Sequence, residues 1–475
     1  MMELAQALRW LPGAVLHGNP RQPILRVHSD TRSLRQGDLF VAIRGDTYDA
    51  NQFLAQAKAA GAAAALCSDA DALARSGLPG IVIADTRQAL GDLACGWRAQ
   101  FTLPLIAVTG SNGKTTVTQM LAAIVQQWHG DAALATQGNF NNDIGLPLTL
   151  LRLRESHHVA VVELGMNHPG EIARLAAIAR PTVALVNNAQ REHLEFMATV
   201  EAVARENGAV IEVLAADGTA VFPQDDAFAE LWRKLAGARR YRTFSITLPA
   251  DPLAATADVH CMAARWLDGA WQVQADTPEG PLAFTLHMAG RHNVHNALAA
   301  ATSALAAGVP LPHIAAGLQA FEPVKGRSRT QTLRLGDHCC TLVDDSYNAN
   351  PDSVDAAIAM LATLPAPRLL VLGDMGEVGE QGPLFHAQAG ERAHALGIDS
   401  LFTLGALSNH AGQTFPGARH FDSMAALADA VRQQSGAMAS ILVKGSRFMQ
   451  MEKVVETLVQ HAQCLSAATG DAACC

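Results

Sequence analysis

Leu105-Ile106-Ala107-Val108, running into Thr109-Gly110-Ser111-Asn112-Gly113-Lys114-Thr115-Thr116, is the stretch on which the fold turns. Four apolar residues in a row, two of them β-branched, read as a short strand buried on both faces. The glycines let the chain turn tightly and bring its backbone close to a ligand. Met120, Leu121, Ile124, Val125 and Trp128 then recur at helical spacing, so a helix with one apolar face follows. Strand, glycine turn and helix together make a P-loop. Its backbone N–H groups wrap phosphate oxygens, and the helix adds the positive end of its dipole. Gly110, Ser111, Asn112, Gly113, Lys114, Thr115 and Thr116 are therefore the expected ATP-binding set. Lys114 reaches the β- and γ-phosphates and the Thr115 hydroxyl serves Mg²⁺. The loop is a variant, because Val108 stands where the general motif has its first glycine.

Working outward, Val159-Ala160-Val161-Val162 is a second buried strand, and Glu163 ends it. A carboxylate at the C-terminal edge of a strand sits where open α/β sheets bind ligands. Pro169 suits the first turn of the next helix. Thr182-Val183-Ala184-Leu185-Val186 is a third strand, and Asn187, Asn188, Glu192 and His193 lie on the connection after it. Strands alternating with helices give a parallel sheet wrapped by helices. If the strands are neighbours, Thr115, Glu163 and His193 project over one edge. A hydroxyl, a carboxylate and an imidazole there suit Mg²⁺ held against phosphates. Lys114, Glu163 and His193 are the candidate catalytic groups. His157 and His158 precede a strand in a polar turn and are expected to be exposed.

The texture of the chain predicts three α/β regions. Residues 1–100 carry short apolar strands, Asp38 to Ile43 and Gly80 to Ala84, around an Ala-rich helical stretch from Asn51 to Ala64. Residues 101–321 form the central P-loop domain with a parallel sheet. Within it, residues 217–290 change character and read as a small antiparallel addition, with strands such as Ala270 to Gln274 and Leu282 to Leu286. Residues 322–475 return to strand–helix alternation and read as a Rossmann-like α/β domain, with strands at Cys340 to Val343, Leu369 to Leu372 and Ile441 to Val443. The Ala-rich tail after Gln463 is expected to fray.

Composition excludes several classes. The 475 residues hold 35 Lys and Arg against 44 Asp and Glu, a formal charge of −9 without a basic block. Nucleic-acid binding has no electrostatic support there. No apolar run reaches the length of a membrane span, and the start lacks a secretory pattern, so a cytoplasmic protein is expected. The eight cysteines, Cys67, Cys95, Cys261, Cys339, Cys340, Cys464, Cys474 and Cys475, contain no CxxC pair and read as free thiols. A P-loop alone also fits a kinase or a nucleotide-gated binding module.

Longer stretches, from about residue 30 to 455, resemble the Mur ligases of peptidoglycan synthesis. They are Asp30-Thr31-Arg32 with Gly37 to Ala42, Gly138 to Pro147, Glu163 to Ile172, Gly290 to Asn296, Asp344 to Pro351, Leu372 to Glu377, and Lys444-Gly445-Ser446-Arg447. The resemblance implies three domains: one for a UDP moiety, one for ATP and one that closes over the site by rigid-body motion. It implies ATP and Mg²⁺, a carboxylate activated as an acyl phosphate, and an amine that displaces phosphate. Gly138 to Pro147 and Asp344 to Pro351 are most similar to members that join D-alanyl-D-alanine to UDP-N-acetylmuramoyl-tripeptide, which makes those the implied substrates of a monomer. By the same resemblance Asn293 and Asn296 lie at adenine, Arg327 near the phosphates and Asp345 near the ribose. Thr31 and Arg32 fall at the uridine end, and Asn141, Asn142 and Asn348 at the remaining substrate. Many Mur ligases carry a carbamylated lysine after the His193 position. Here Asn207 stands near that place in Val203-Ala204-Arg205-Glu206-Asn207-Gly208, and an amide cannot be carbamylated, so Glu206 is a candidate replacement charge.

Overall fold

The computed structural model describes residues 1–45, 48–247, 256–336 and 338–469. Three main sheets organise them. The N-terminal sheet has five strands in the order Val15–His17, Gly80–Val82, Ala64–Cys67, Asp38–Val41 and Arg26–His28, with only the first pairing antiparallel. The Ala-rich helix before Ala64 is shorter than its composition suggests. It runs Leu54–Ala59 after a 3₁₀ turn at Ala50–Phe53, and Gly61 then takes φ +99°. Ala64–Cys67 is a strand whose residue Ala65 pairs with Gly80. Alanine supports a helix locally, but burial between two strands decides its state here. The helix Thr86–Arg98, capped by Asp85, packs on the helices Gly145–Leu150 and Glu171–Ala179. Trp97 Nε1 and Arg98 anchor it by donating to the carbonyls of Leu153, Ala179 and Arg180.

The central sheet has nine strands. The strand Leu105–Thr109 lies between Val183–Val186 and Val159–Glu163, both parallel to it. In register, Val108 pairs with Glu163, and Thr109 with Val186. Glu163, Asn187 and Gly110 therefore leave the sheet at one edge, where a parallel sheet opens to ligands. Lys114–His129 follows as a helix, with Met120, Leu121, Ile124 and Val125 fully buried. Each of those side chains contributes roughly 1.5–3 kcal/mol relative to an exposed position. In residues 217–290 the two strands named for the antiparallel addition are antiparallel, but the addition begins later than residue 217. Thr219–Pro223, Arg240–Ser245 and Val259–Leu267 extend the parallel sheet, and only Ala270–Asp276 and Leu282–Leu286 return antiparallel. Ala270–Asp276 and Leu282–Leu286 alternate buried and exposed residues, whereas Thr219–Pro223 is buried throughout, as a strand covered on both faces is. Pro169 lies just outside the helix Glu171–Ala179, whose N-cap is Gly170.

The C-terminal sheet runs Arg329–Leu335, His338–Asp345, Ser440–Lys444, Arg368–Gly373, Ser400–Leu404 and Arg419–Phe421, parallel except for the first pair. Its last helix, Glu452–Thr469, continues past Gln463, so the expected fraying does not begin there. Residues 470–475, with Cys474 and Cys475, lie outside the described residues. The other six cysteines are free thiols, with Cys67, Cys261 and Cys340 buried. His158 is exposed, whereas His157 is half-buried and accepts from the Arg154 N–H through Nδ1. No helix among the described residues is long and apolar enough to cross a membrane.

Candidate active site

A cavity of about 1060 Å³ opens where the three sheets meet, with Arg87 on the N-terminal side, Ser111 to Thr116 on the central floor and Arg327, Asp345 and Lys444 opposite. Its floor is the P-loop. Gly113 holds φ +82°, and a Cβ there would lie 2.4 Å from Asn296 Oδ1 and 2.7 Å from Asn187 Nδ2. Only glycine fits. Those two amides belong to a buried chain: Asn296 Nδ2 donates to Asn293 Oδ1, Asn187 Nδ2 to Asn296 Oδ1 and to the Asn112 carbonyl. Asn188 Oδ1 accepts from the Asn112 N–H at 2.8 Å. Asn293 and Asn296 are thus buried supports of the loop, and both also line the cavity.

Thr115 Oγ1 donates to Glu163 Oε1 at 3.0 Å, and Asn141 Nδ2 donates to the same oxygen at 2.7 Å. Glu163 is 1% exposed, yet its Oε2 has no hydrogen-bond partner. A buried carboxylate oxygen left open is costly unless a cation or donor meets it, so Thr115 and Glu163 fit a divalent cation. His193 is on the same cavity wall but is held by other groups. Its Nδ1 lies 2.5 Å from Glu377 Oε2, and its Nε2 lies 3.4 Å from Glu192 Oε1. The Nδ1 contact departs from hydrogen-bond alignment. Burial by itself would lower the pKa of His193, but the two carboxylates outweigh it and hold the ring up at about 9. Among the described residues no group of three or more His, Cys, Asp or Glu is placed to hold a metal ion. The structure joins Thr115 to Glu163, and His193 lines the same cavity, held by Glu192 and Glu377.

Lys114 is folded onto its own loop. Its Nζ donates to the carbonyls of Gly110 and Ser111 and to Glu192 Oε1 at 2.9 Å. The third sheet supplies further contacts. Asn350 caps the helix Pro351–Ala362 and exchanges amide hydrogen bonds with Asn112 of the P-loop, at 2.9 and 3.3 Å. Asp352 receives the Arg191 backbone N–H and its guanidinium. Asp345 accepts from Ser328 through Oδ1 and from Lys444 Nζ at 2.6 Å through Oδ2. The Asn348 carbonyl also accepts from Lys444. Arg327 stacks 4.2 Å over the Tyr347 ring.

Other expected site residues take up further positions. Asn142 uses Oδ1 to accept the N–H groups of Ile144 and Gly145, so it shapes the turn into the next helix while lining the cavity. Thr31 and Arg32 form a 3₁₀ turn outside the cavity wall, with Arg32 paired to Asp30. That pairing holds the Asp30 carboxyl down at about 2. Glu206 does not supply charge to the cavity. Its two oxygens accept the N–H groups of Gly170 and Ile172, capping the helix Glu171–Ala179, because a carboxylate is favoured at a helix N-terminus. Asn207 is fully buried beneath the loop, where its Oδ1 accepts from Thr109 Oγ1 at 2.6 Å and from the Gly110 N–H at 3.0 Å. Glu192, Glu377, Asn187 and Asn350 carried no separate signal in the sequence beyond their nearness to motif residues.

Family comparisons agree with this geometry. Three family models match in order along the chain: the Mur ligase family catalytic domain at residues 23–98, the Mur ligase middle domain at 108–304, and the Mur ligase glutamate ligase domain at 328–447. The chain belongs to the Mur ligase family. It is 40% identical over 447 residues to the UDP-N-acetylmuramoyl-tripeptide--D-alanyl-D-alanine ligase of Escherichia coli, covering 92% of this chain and 94% of that one. It superposes on the crystal structure of MurF from Acinetobacter baumannii with a TM-score of 0.86 at 33% identity, covering 96% and 98% of the two chains. The ADP complex of MurF ligase from Thermotoga maritima, at 23% identity and a TM-score of 0.78 over 92% and 98% of the chains, shares the fold.

Proposed function

We propose that this chain is an ATP-dependent ligase that joins D-alanyl-D-alanine to UDP-N-acetylmuramoyl-tripeptide, releasing ADP and phosphate. The observation that carries the reading is the cavity where a P-loop on one sheet faces Arg327, Asp345 and Lys444 on another. The full-length likeness to the E. coli enzyme supplies the substrates. A carboxylate is a poor electrophile because oxide would have to leave. Its oxygen attacks the γ-phosphorus, the bond to ADP breaks, and phosphate becomes the leaving group. The amine then forms the bond to the acyl carbon, loses a proton, and free phosphate departs.

The chain's own residues position and neutralise these groups. Lys114 exchanges Glu192 and two loop carbonyls for the β- and γ-phosphates. Asn207 and Asn188 accept the N–H groups of Gly110 and Asn112, and Asn187 donates to the Asn112 carbonyl, which fixes the shape of the loop that would take the phosphates. Arg327 faces them from the third sheet. Thr115 and Glu163 would hold Mg²⁺, which when bound neutralises charge on the transferred phosphoryl group. Closure of the third sheet excludes water from the acyl phosphate.

A phosphate-release assay tests this. ATP, Mg²⁺, the UDP-muramoyl tripeptide and D-alanyl-D-alanine are supplied together and then omitted one at a time. Release is expected only with all four present. Release that ignores D-alanyl-D-alanine refutes the assignment, and transfer of phosphate to a stable product without free phosphate indicates a kinase. Lys114→Ala is expected to abolish turnover, and normal turnover in that variant refutes the role of the loop.

A further inference from the structure

The corner of the cavity between the N-terminal and central sheets holds two guanidiniums and one carboxylate, Arg87, Arg174 and Asp143, that no step of the proposed reaction uses. Arg87 stands in the first turn of the helix Thr86–Arg98, Arg174 in the helix Glu171–Ala179, and Asp143 in the turn before the helix Gly145–Leu150. Those three helices pack on one another. Arg87 holds Asp143 with a fork: its Nε lies 2.5 Å from Oδ2, and its Nη2 donates to Oδ1 at 2.8 Å. Arg174 has no such partner. Its Nη1 is 4.0 Å from Asp143 Oδ2, too far for a hydrogen bond, and among the described residues its guanidinium donates none. Two other carboxylates at the start of its helix are already engaged. Glu171 accepts the N–H groups of Asn167 and His168, and Glu206 those of Gly170 and Ile172. Two cations against one anion therefore face the cavity with a positive excess.

We propose that this corner reads the last residue of the peptide substrate. It takes a side chain that ends in a carboxylate and an ammonium together, as that of diaminopimelate does, and turns away one that ends in an ammonium alone, as that of lysine does. This rests on the ligase reading above. Asn141 Nδ2 donates to Glu163 Oε1, beside the place where the activated carboxylate must meet the γ-phosphate and its cation. Asp143 is two residues further on, so its Cα lies within about 7 Å of that of Asn141. The activated carboxylate belongs to the third residue of the peptide, and a long side chain on that residue spans such a gap. The charges also fit. Arg174 presents a planar fork that matches a carboxylate. Asp143 has about four lone-pair sites and Arg87 takes two of them, which leaves room for an ammonium. A lysine ammonium would also meet Asp143, but it would leave Arg174 without an anion and stand beside two like charges. Side-chain exposure of 50% for Arg87 and 45% for Arg174 keeps these contacts partly screened by water, so the discrimination is modest.

Phosphate release from the full chain is measured with ATP, Mg²⁺, D-alanyl-D-alanine and either of two UDP-muramoyl tripeptides, one ending in diaminopimelate and one in lysine. With wild-type protein, kcat/KM is expected to favour the diaminopimelate peptide by about tenfold, mostly through KM, which is the size of one charge-assisted contact. Arg174→Gln should raise KM for the diaminopimelate peptide by a similar factor and lower it for the lysine peptide, from which it removes a like charge. Arg174→Glu should go further and reverse the order of the two peptides. If Arg174 has a merely structural role, its variants lower turnover of both peptides together, which overturns the proposal. Equal kcat/KM for the two peptides in wild type, or a preference for lysine, also overturns it. That comparison is read on the unaltered protein, so it decides even if a variant fails to fold. Release with neither peptide removes the ligase reading itself, whereas release with both alike removes only this inference.

Discussion

Asp352→Ala should open the molecule. Asp352 accepts the Arg191 backbone N–H at 2.7 Å, its Nη2 at 2.8 Å and its Nε at 3.1 Å, bridging the central and C-terminal sheets. Charge-assisted hydrogen bonds of this kind are worth about 1.5–3 kcal/mol when shielded from water. The two side chains are 34% and 25% exposed, which calls for a discount. About 1–2 kcal/mol remains for the closed arrangement, a shift of roughly 5- to 30-fold toward open forms. The Asn112–Asn350 exchange lies at the same junction and is expected to weaken with it. Small-angle scattering of the ligand-free variant should show a larger radius of gyration than wild type. Apparent ATP affinity should fall by a comparable factor, because nucleotide must first recover the closed fraction. Asn350→Ala should act in the same direction, with some loss of helix capping added. Identical scattering curves and identical ATP affinity in wild type and Asp352→Ala would refute the view that this contact sets the closure equilibrium.

Three further outcomes follow from single positions. Gly113→Ala should cost about 1–2 kcal/mol for the left-handed backbone and break the Asn187–Asn296 contact, so nucleotide binding measured by calorimetry is lost while circular dichroism stays native; retained binding would count against the amide floor. Asn207→Ala leaves the Thr109 hydroxyl and Gly110 N–H without their acceptor, at about 1–3 kcal/mol each, partly offset because its own buried Nδ2 has no partner now; a fall in thermal midpoint is expected, and an unchanged midpoint would count against this support. His386 is fully buried, with Nε2 accepting from Met375 N–H and Nδ1 facing the Gly382 carbonyl, and burial pulls its pKa below 6.5 despite the opposing pull of that carbonyl and Asp374. Its unfolded form therefore binds more protons below about pH 6.5, so stability is lost as pH falls through that range; the drop in thermal midpoint between about pH 7.5 and about pH 5.5 should shrink in His386→Gln.

What could be read in the sequence was what lies close together along it. Residues 105 to 128 carry strand, glycine turn and apolar helical face within one continuous stretch, so the loop and its lysine were legible. Glu163 was legible because a carboxylate ending an apolar run has few structural uses. The Ala-rich stretch before Ala64 misled because alanine has no period: the same composition makes the helix Leu54–Ala59 and the strand Ala64–Cys67, and only pairing with Gly80 separates them.

The supports of the site are a different matter, because they are set by pairs far apart in the chain. Asn207 meets Thr109 across 98 residues, and Asn350 meets Asn112 across 238. A sequence shows which charges exist but not which ones neutralise each other. Lys114 was recognisable as a phosphate ligand, yet its partner Glu192 stands 78 residues away in the chain. This division follows from the chemistry. A ligase must keep its acyl phosphate from water until the amine arrives, so its site is complete only when separate sheets meet. The residues that bind phosphate can sit on one loop and carry a local signature. The residues that make the site conditional on closure must sit on the other side of the gap, where only the fold reveals them.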